Sequence, residues 1–221
     1  MNSHAMPVLR AVILAAGSSR RLGQPKALAR IKGLSLLRQL VRLIAPLLST
    51  PPLIVVPPRC ARYRLELRGI DVVLEPNRHR LRGLSSSVRL GLARGRFASA
   101  ALLLPVDLAL LERRDIARLI AHWRAARRRV AARRIGLPGN AQGGAHGGVP
   151  LILPRRFFAR AQLIDGDTGL RDWLRTLSGA QCRLVEMPSA ALDIDTPKDL
   201  ARARRTARCP QAAGGCPARP K

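Results

Sequence analysis

Residues Val12 to Lys26 read VILAAGSSRRLGQPK and decide what kind of fold this sequence can form. An apolar run from Val8 to Ala15, interrupted only by Arg10, leads directly into this stretch. A short apolar run bounded by turn residues predicts a buried strand. The loop that follows combines small residues, whose backbone N–H groups a ligand can approach closely, with cations that neutralise negative charge. This combination predicts a binding site for a nucleoside triphosphate.

The glycine spacing separates this loop from two common nucleotide-binding motifs. A P-loop requires G-x4-G-K-[ST], whereas Gly17 and Gly23 are six positions apart and Lys26 lies three further on. A dinucleotide-binding fingerprint requires G-x-G-x-x-G, and Ser19 stands where the second glycine is needed. What remains is G-x5-G-x2-K after a first strand. For the glycines alone, a solvated surface turn is the alternative interpretation.

This pattern resembles the signature loop L-A-[AG]-G-x-S-x-R-M-G-x-x-K of the MobA-like NTP transferases, and in particular their molybdenum cofactor cytidylyltransferase branch. The sequence has Leu22 in place of the usual Met and matches at Leu14, Ala15, Ala16, Gly17, Ser19, Arg21, Gly23 and Lys26. The resemblance implies catalytic roles for Arg21 and Lys26. It implies nucleotide binding by Leu14, Ala15, Ala16, Gly17, Ser18 and Ser19. The alanine pair, and Pro25 before the lysine, resemble the cytidylyl type of loop more than the guanylyl type.

Two carboxylates further along the chain predict a magnesium site. The run LLLPVD places Asp107 at the end of a buried strand, at the sheet edge where the first loop also lies. Residues 193–199 read DIDTPKD and resemble the family segment D-[IV]-D-T-P-x-D, in which strand alternation puts Asp193 and Asp195 on the same side. Mg²⁺ prefers a few protein oxygens completed by phosphate oxygens, and we assign it to Asp107 and Asp195. Helix capping is the alternative: Asp107 would cap the helix that follows it, and at the last helix the capping role belongs mainly to Thr196, which is compatible with a metal at Asp195.

Two further parts of the sequence resemble segments of the same family. The first lies beside the nucleotide base in that family, which implies nucleotide-binding roles for Asn77, Gly83, Ser86 and Ser87. The second is GDTGLR, residues 166–171, which resembles G-D-x-G-x-R. Together with the segment GVP, residues 148–150, it implies an acceptor side formed by Gly148, Pro150 and Asp167. Helix capping is the alternative for the serines and for Asp167.

Strand and helix signals alternate along the chain, which predicts an α/β fold with a three-layer, doubly wound, mostly parallel sheet. The resemblance implies the Rossmann-like nucleotide-diphospho-sugar transferase fold. We expect strands at 8–15, 53–56, 71–74, 100–105, 130–135, 150–153 and 182–187, and helices at 34–48, 84–94, 114–128, 156–162, 168–177 and from 197. A glycine-rich loop is expected over 136–148. One nucleotidyltransferase domain should occupy residues 1–207, and a disordered tail residues 208–221.

The composition limits the partners and the compartment. The chain has 40 basic and 13 acidic residues and a net charge of +27, but its arginines are spread widely and its aromatic residues are few. The composition therefore does not favour a stacking platform for nucleic acid, although the charge suits anionic substrates. The four scattered cysteines predict free thiols in a reducing compartment. Since no apolar run reaches the ~18 residues that a spanning helix needs, we expect a cytoplasmic protein that does not enter a membrane.

These observations predict a Mg²⁺-dependent enzyme that transfers CMP, or another NMP, from an NTP to a phosphorylated small-molecule acceptor and releases pyrophosphate. The family branch implies molybdopterin as the acceptor and a molybdoenzyme or its chaperone as a further partner. A sugar-phosphate or methylerythritol-phosphate acceptor is the first alternative. The second is a non-catalytic nucleotide- or nucleic-acid-binding protein, or a cofactor chaperone, on the same fold. Departures from the family pattern at Leu108, Ala109 and Val149 keep this alternative open.

Overall fold

Strands and helices alternate along the computed structural model, which describes residues 7–136 and 145–208. The strands are β1 (Leu9–Leu14), β2 (Arg30–Ile31), β3 (Leu34–Ser35), β4 (Leu53–Val56), β5 (Val73–Pro76), β6 (Ala100–Pro105), β7 (Val130–Ile135), β8 (His146–Pro154) and β9 (Cys182–Val185). The α-helices are α1 (Leu36–Ile44), α2 (Ala61–Glu66), α3 (Leu84–Arg94), α4 (Arg113–Ala125), α5 (Phe158–Ala161), α6 (Gly169–Arg175) and α7 (Pro197–Arg208). This alternation is the predicted α/β class.

One seven-stranded sheet organises the fold, in the order β5-β4-β1-β6-β8-β7-β9, and β2 and β3 form a separate hairpin. The strands β5, β4, β1 and β6 are parallel to one another, as are β7 and β9. In contrast, β8 runs antiparallel to both of its neighbours. Because parallel strands end at the same edge, the loops after β1, β4, β5 and β6 meet at the carboxyl edge of the sheet.

Helices cover both faces of the sheet because successive strand residues point to two different apolar cores. In β1, Ala11 and Ile13 belong to one core, which includes side chains of α1, α4 and α7. Val12 and Leu14 belong to the other core, which includes side chains of α3, α5 and α6. At Gly91, α3 approaches the sheet so closely that a Cβ would lie 2.3 Å from Cγ1 of Val12. The predicted three-layer arrangement is therefore confirmed.

The helix predicted over 34–48 is wrong at both ends. The β2–β3 hairpin precedes it, and its two turn residues, Lys32 and Gly33, have φ angles of 50° and 79°. Positive φ at both central positions is what a tight hairpin turn of the primed type requires. Ser35 then caps α1, since its Oγ accepts a hydrogen bond of 3.1 Å from the backbone N of Arg38. A short 3-10 helix over Ala45–Leu47 follows α1.

The last part of the predicted glycine-rich loop belongs to a strand. Since β8 begins at His146, Gly147 and Gly148 pair with Arg134 and Arg133 of β7, and the strand predicted over 150–153 is longer than expected. The third predicted strand, at 71–74, lies two residues later, at Val73–Pro76. Residues 137–144 of the predicted loop and 209–221 of the predicted disordered tail lie outside the described residues. Within the described residues, the helices are too short or too polar to cross a membrane.

Candidate active site

The loop between β1 and Lys26 folds back on itself at the carboxyl edge of the sheet. The two alanines that follow β1 are buried, and Gly17 and Ser18 beyond them are exposed. Ser19 adopts the left-handed conformation with φ 50°, and its Oγ accepts a hydrogen bond of 2.9 Å from the backbone N of Lys26. This bond closes the loop and returns Lys26 to the end of β1.

The ammonium group of Lys26 lies between two carboxylates. Its Nζ donates to Oδ2 of Asp107 at 3.0 Å and to Oδ1 of Asp195 at 2.5 Å. Burial alone would lower the pKa of Lys26, but the charges and hydrogen bonds of these two aspartates outweigh it and raise the pKa above its ordinary value. The three predicted residues therefore meet at one point, and Lys26 is held in its protonated form.

A short backbone contact brings the two aspartate segments together. The backbone N of Ile194 donates to the carbonyl oxygen of Asp107 at 3.0 Å, and Leu108 forms an isolated antiparallel bridge with Asp193. The Asp193 carboxylate also faces Arg133, with Oδ1 and Nη1 3.8 Å apart. Burial and the nearby negative charge of Asp107 raise the pKa of Asp193, and Arg133 only partly opposes them. The carboxylates of Asp107 and Asp193 therefore concentrate negative charge at the carboxyl edge of the sheet.

The start of α7 fixes the backbone on which Asp195 sits. Thr196 and Asp199 form a reciprocal cap: Thr196 N and Oγ1 donate to Oδ2 of Asp199 at 2.8 and 2.7 Å, and Asp199 N donates to Oγ1 of Thr196 at 3.3 Å. The backbone N of Asp195 donates to the same Oδ2 at 3.2 Å. These hydrogen bonds from Thr196 and Asp195 lower the pKa of Asp199. The predicted capping role of Thr196 is confirmed.

The predicted base-side residues divide into two groups. Asn77 is buried, and its side-chain amide donates to Oγ of Ser86 at 2.9 Å and to Oγ of Ser87 at 3.0 Å. Ser86 also donates to the carbonyl oxygen of Gly83 at 2.8 Å. Asn77 and Ser86 thus hold the start of α3 from behind, whereas Gly83 and Ser87 face the site cleft described below.

Asp167 caps α3, which is not the helix that follows it in the sequence. Its Oδ1 accepts a hydrogen bond of 2.8 Å from the backbone N of Leu84, and the backbone N of Ser85 donates to the carbonyl oxygen of Gly166 at 3.2 Å. Gly83 makes this contact feasible: it has φ 86°, and a Cβ there would lie 2.7 Å from Oδ1 of Asp167. Asp167 therefore does cap a helix, although a distant one, and its predicted contact with an acceptor stays a prediction.

These segments enclose one cleft, which we call the main cleft, with a volume of about 600 Å³. Its lining includes the exposed side chain of Arg21 and, among the other residues predicted for the site, Leu14, Ala15, Ala16, Gly17, Ser18, Ser19, Lys26, Gly83, Ser87, Asp107, Asp167 and Asp195. Asn77, Ser86, Gly148 and Pro150 are not among the lining residues. Most of the predicted site residues are therefore assembled around a single space.

Gly148 and Pro150 lie in the first half of β8, at the side of the sheet edge away from β1. Both residues are buried. A Cβ on Gly148 would lie 2.1 Å from Cδ1 of Ile135, so tight packing against β7 already requires a glycine there. Their predicted contact with an acceptor stays a prediction.

The main cleft also has lining residues that the sequence motifs did not indicate, among them two that follow β5. Arg80 and Leu81 line it, and Nη1 of Arg80 makes a long hydrogen bond of 3.4 Å to the carbonyl oxygen of Ala16. Leu81 is 77 % exposed at the rim of the cleft. Both follow β5, so their position after a parallel strand was the available signal.

Comparison with sequence families identifies the relatives of this chain. The model of the MobA-like NTP transferase domain matches residues 11–182. The chain belongs to this family. The matched range includes the signature loop, the base-side residues from Asn77 to Ser87, Asp107 and Asp167. Asp195 lies beyond this range.

Solved structures, among them those of two nucleotidyltransferases, have the same fold as this MobA-like chain. A nucleotidyl transferase from Methanothermobacter thermautotroptrophicus is 21% identical, with a TM-score of 0.72 and coverage of 90% of this chain and 96% of that one. The manganese complex of Rv0371c from Mycobacterium tuberculosis is 23% identical, with a TM-score of 0.66 and coverage of 90% and 99%. The 2-C-methyl-D-erythritol 4-phosphate cytidylyltransferase from Thermus thermophilus is 19% identical, with a TM-score of 0.65 and coverage of 91% and 100%. The search of curated proteins finds no significant match.

The carboxylates of this MobA-like chain fit a hard divalent cation whose coordination is completed by a phosphate. Within the described residues, no three His, Cys, Asp or Glu side chains form a ready-made metal site. Two carboxylate oxygens nevertheless converge on one cationic atom, Nζ of Lys26, from Asp107 and Asp195. Mg²⁺ and similar ions are commonly held by one or two carboxylates plus substrate phosphates. The arrangement therefore suits a cation that arrives with a nucleotide.

Proposed function

We propose that this chain is a divalent-metal-dependent nucleotidyltransferase that transfers CMP from CTP to a phosphorylated acceptor, with a molybdopterin-type molecule as the preferred acceptor. The observation that carries the proposal is the meeting of Lys26, Asp107 and Asp195 beside the loop that follows β1. Membership of the MobA-like NTP transferase family supports the reaction type. The cytidylyl-type loop supports CTP, and Mg²⁺ is the metal we favour.

The nucleotide is proposed to lie along the loop after β1. The backbone N–H groups of residues 17–19 approach its phosphates, because Gly17 and Ser18 are exposed at the carboxyl edge of β1. Gly83 and Ser87, at the start of α3, face the base, while Asn77 and Ser86 hold them in place. This assignment gives residues 17–19 and the four base-side residues either a contact with the nucleotide or a supporting role.

The reaction we propose is an in-line displacement at the α-phosphorus. A phosphate oxygen of the acceptor forms the new O–P bond, and the bond between the α-phosphorus and the bridging oxygen of the β-phosphate breaks, so pyrophosphate leaves with that electron pair. The acceptor phosphate is already anionic at neutral pH, so no general base is needed. The chain therefore contributes mainly positioning and charge neutralisation.

Lys26 and Arg21 supply fixed positive charge in this scheme. Because Lys26 stays protonated, its ammonium group can stabilise the negative charge that builds up on the α-phosphate and on the departing pyrophosphate. Asp107 and Asp195 would hold the divalent cation, which supplies charge neutralisation on the triphosphate when bound. The backbone hydrogen bond from Ile194 to Asp107 holds the two aspartate segments side by side.

The acceptor is proposed to enter on the side of Asp167 and of β8. Asp167 lines the main cleft with Oδ1 bound to α3, and Gly148 and Pro150 stand at the same edge of the sheet. A methylerythritol-phosphate acceptor is the second candidate, because the Thermus thermophilus cytidylyltransferase has the same fold over 91% of this chain. We also propose that a molybdoenzyme or its chaperone receives the product.

The test is pyrophosphate release by the purified protein with each of the four NTPs, Mg²⁺ or Mn²⁺, and two acceptors, molybdopterin and 2-C-methyl-D-erythritol 4-phosphate. We expect release with CTP and molybdopterin, and none when the metal is chelated. Release only with methylerythritol phosphate would transfer the proposal to the second acceptor. Nucleotide binding without pyrophosphate release under any of these conditions would overturn it in favour of a non-catalytic protein.

A further inference from the structure

Another cavity lies on the other side of the nucleotide loop, and the arginines that line it have no role in the proposed reaction. Its volume is about 470 Å³, and it shares Gly17, Ser18, Ser19, Arg20 and Arg80 with the surroundings of the main cleft. We call it the arginine pocket, since its lining includes Arg20, Arg59, Arg62 and Arg80. The loop after β1 is therefore a wall between two cavities.

The sheet order explains why four guanidinium groups gather here. The strands β5, β4 and β1 are adjacent and parallel, so the segments that follow them meet at one edge. Arg80 follows β5, Arg59 and Arg62 follow β4, and Arg20 follows β1. The pocket lies on the β4 side of β1, whereas the carboxylates of the main cleft lie on the β6 side.

The arginine pocket has no internal neutralisation. All 13 acidic side chains of the sequence lie within the described residues, and none of them lines this pocket. Among the described residues, its four arginines form no ion pair within 4.0 Å, whereas Arg30, only a few positions from the loop, pairs with Glu66 at 2.7 Å. The pocket therefore presents four uncompensated positive charges around one space.

The floor of the pocket gives it a fixed shape. Tyr63 is only 3 % exposed and lines the pocket together with prolines from both walls, Pro25 and Pro57. Burial raises the pKa of the Tyr63 hydroxyl, and the positive charges of Arg80 and Arg62, which line the same pocket, oppose that rise. Guanidinium groups are well suited to bind phosphate through paired hydrogen bonds.

We propose that the arginine pocket binds a small anion with two or more phosphate groups, separately from the nucleotide in the main cleft. A single phosphate carries too little charge to neutralise four guanidinium groups, whereas a diphosphate or triphosphate group matches them. The cavity volume leaves room for such a group. This binding does not require that the chain transfer nucleotides.

The test is equilibrium binding of radiolabelled pyrophosphate to the full chain in EDTA, which removes any binding that a metal at Asp107 and Asp195 would mediate. The variant Arg59→Ala/Arg62→Ala removes two pocket arginines that do not line the main cleft. Arg64→Ala/Arg68→Ala is the matched control, since it removes the same charge from exposed positions of the same segment outside the pocket. Loss of charge-assisted hydrogen bonds should weaken binding at least about tenfold in the first variant alone.

Equal weakening in both double variants would overturn the proposal, because it would show attraction to the general positive charge of the chain. Absence of metal-free pyrophosphate binding in the wild-type protein would overturn it as well. Competition experiments then identify what the pocket recognises. If a nucleoside triphosphate displaces pyrophosphate no better than tripolyphosphate does, the pocket recognises the phosphates alone. If it displaces pyrophosphate much better, and Arg59→Ala/Arg62→Ala abolishes this advantage, the pocket also binds the nucleoside. The variant Lys26→Ala should keep this binding while losing turnover, so the two proposals can fail independently.

Discussion

The central sheet has two lateral sides, β5 to β6 and β8 to β9, and they differ in how they bring residues to the carboxyl edge, where the main cleft lies. On one side, β5, β4, β1 and β6 are all parallel, and each delivers the residues that follow it to the carboxyl edge. On the other side, β8 runs in the opposite direction, so its first residues reach that edge and then turn into the sheet. Residues that end a parallel strand are free to meet a ligand, whereas the first residues of β8 are already packed against β7.

The largest loss of turnover should follow from removal of the Lys26 ammonium group, which lies on the parallel side of the sheet. Lys26→Ala removes the ammonium group that contacts both Asp107 and Asp195, and we expect turnover to fall by roughly 10²- to 10³-fold. Pyrophosphate release under saturating nucleotide measures this loss. Lys32→Ala is the control, since Lys32 is an exposed residue of the β2–β3 turn, and it should keep the wild-type rate. Near-normal turnover in Lys26→Ala would show that this loop does not perform the chemistry.

The raised pKa of Lys26 adds a dependence on pH. Because the pKa is higher in the folded than in the unfolded chain, the Lys26 contribution to stability is present below its ordinary value of 10.5 and is lost as the pH rises through the folded value. We therefore expect no loss of turnover from Lys26 deprotonation as the pH approaches 10.5. A basic limb in the rate profile well below that value, absent in Lys26→Arg, would contradict this assignment.

The second effect concerns the metal. Asp107→Asn keeps the size of the side chain but removes the charge that would hold a divalent cation, so we expect turnover to fall by roughly 10²-fold and the metal concentration for half-maximal rate to rise. Titration of Mg²⁺ and Mn²⁺ measures both changes. Asp71→Asn is the matched control at an exposed position outside the main cleft. An unchanged metal titration in Asp107→Asn would remove this residue from the metal site.

Local patterns predicted elements on both sides of the sheet, and the meeting of the site residues on the parallel side. β4, β6, β7 and α3 match their predicted ranges, because short apolar runs and helical spacing mark them locally, whereas β5 lies two residues later than predicted. The meeting of Lys26 with Asp107 follows from one rule, the shared edge of parallel strands, even though the two residues are 81 positions apart. The fold class and the residues that line the main cleft on this side were therefore largely predictable.

Contacts that depend on a particular tertiary arrangement were not predictable. The cap on α3 joins Asp167 to Leu84 across 83 positions, and no local pattern distinguishes it from a cap on α6. The antiparallel direction of β8 depends on which neighbours it pairs with, and the tight turn at Lys32-Gly33 places a lysine in a conformation that side chains rarely adopt. In the first two cases the tertiary structure outweighed the local signal, whereas the turn at Lys32-Gly33 lacks the Asn-Gly or Asp-Gly pair that usually marks such turns.

A smaller effect should appear at the junction of the two sides, at Asp167. Asp167→Ala leaves the backbone N of Leu84 without its partner and loosens the start of α3, so we expect the KM for the nucleotide to rise about tenfold. Asp167→Asn keeps an oxygen acceptor and should restore most of the affinity if positioning of α3 is the role. If Asp167→Asn instead raises only the KM for the acceptor, the charge of Asp167 acts on the acceptor and the predicted acceptor contact is correct.

The smallest effect on turnover should come from the antiparallel strand itself. Gly148→Ala places a methyl group 2.1 Å from Cδ1 of Ile135, and such overpacking costs about 1–3 kcal/mol in the free energy of unfolding. Chemical denaturation should show this loss, and it should be absent in Gly179→Ala, where a Cβ would meet open space. We expect kcat and the KM for the nucleotide to stay close to wild type, because Gly148 does not line the main cleft. A raised KM for the acceptor without loss of stability would instead show that β8 meets the acceptor at Gly148, and the contrast between the two sides of the sheet would then be one of packing alone.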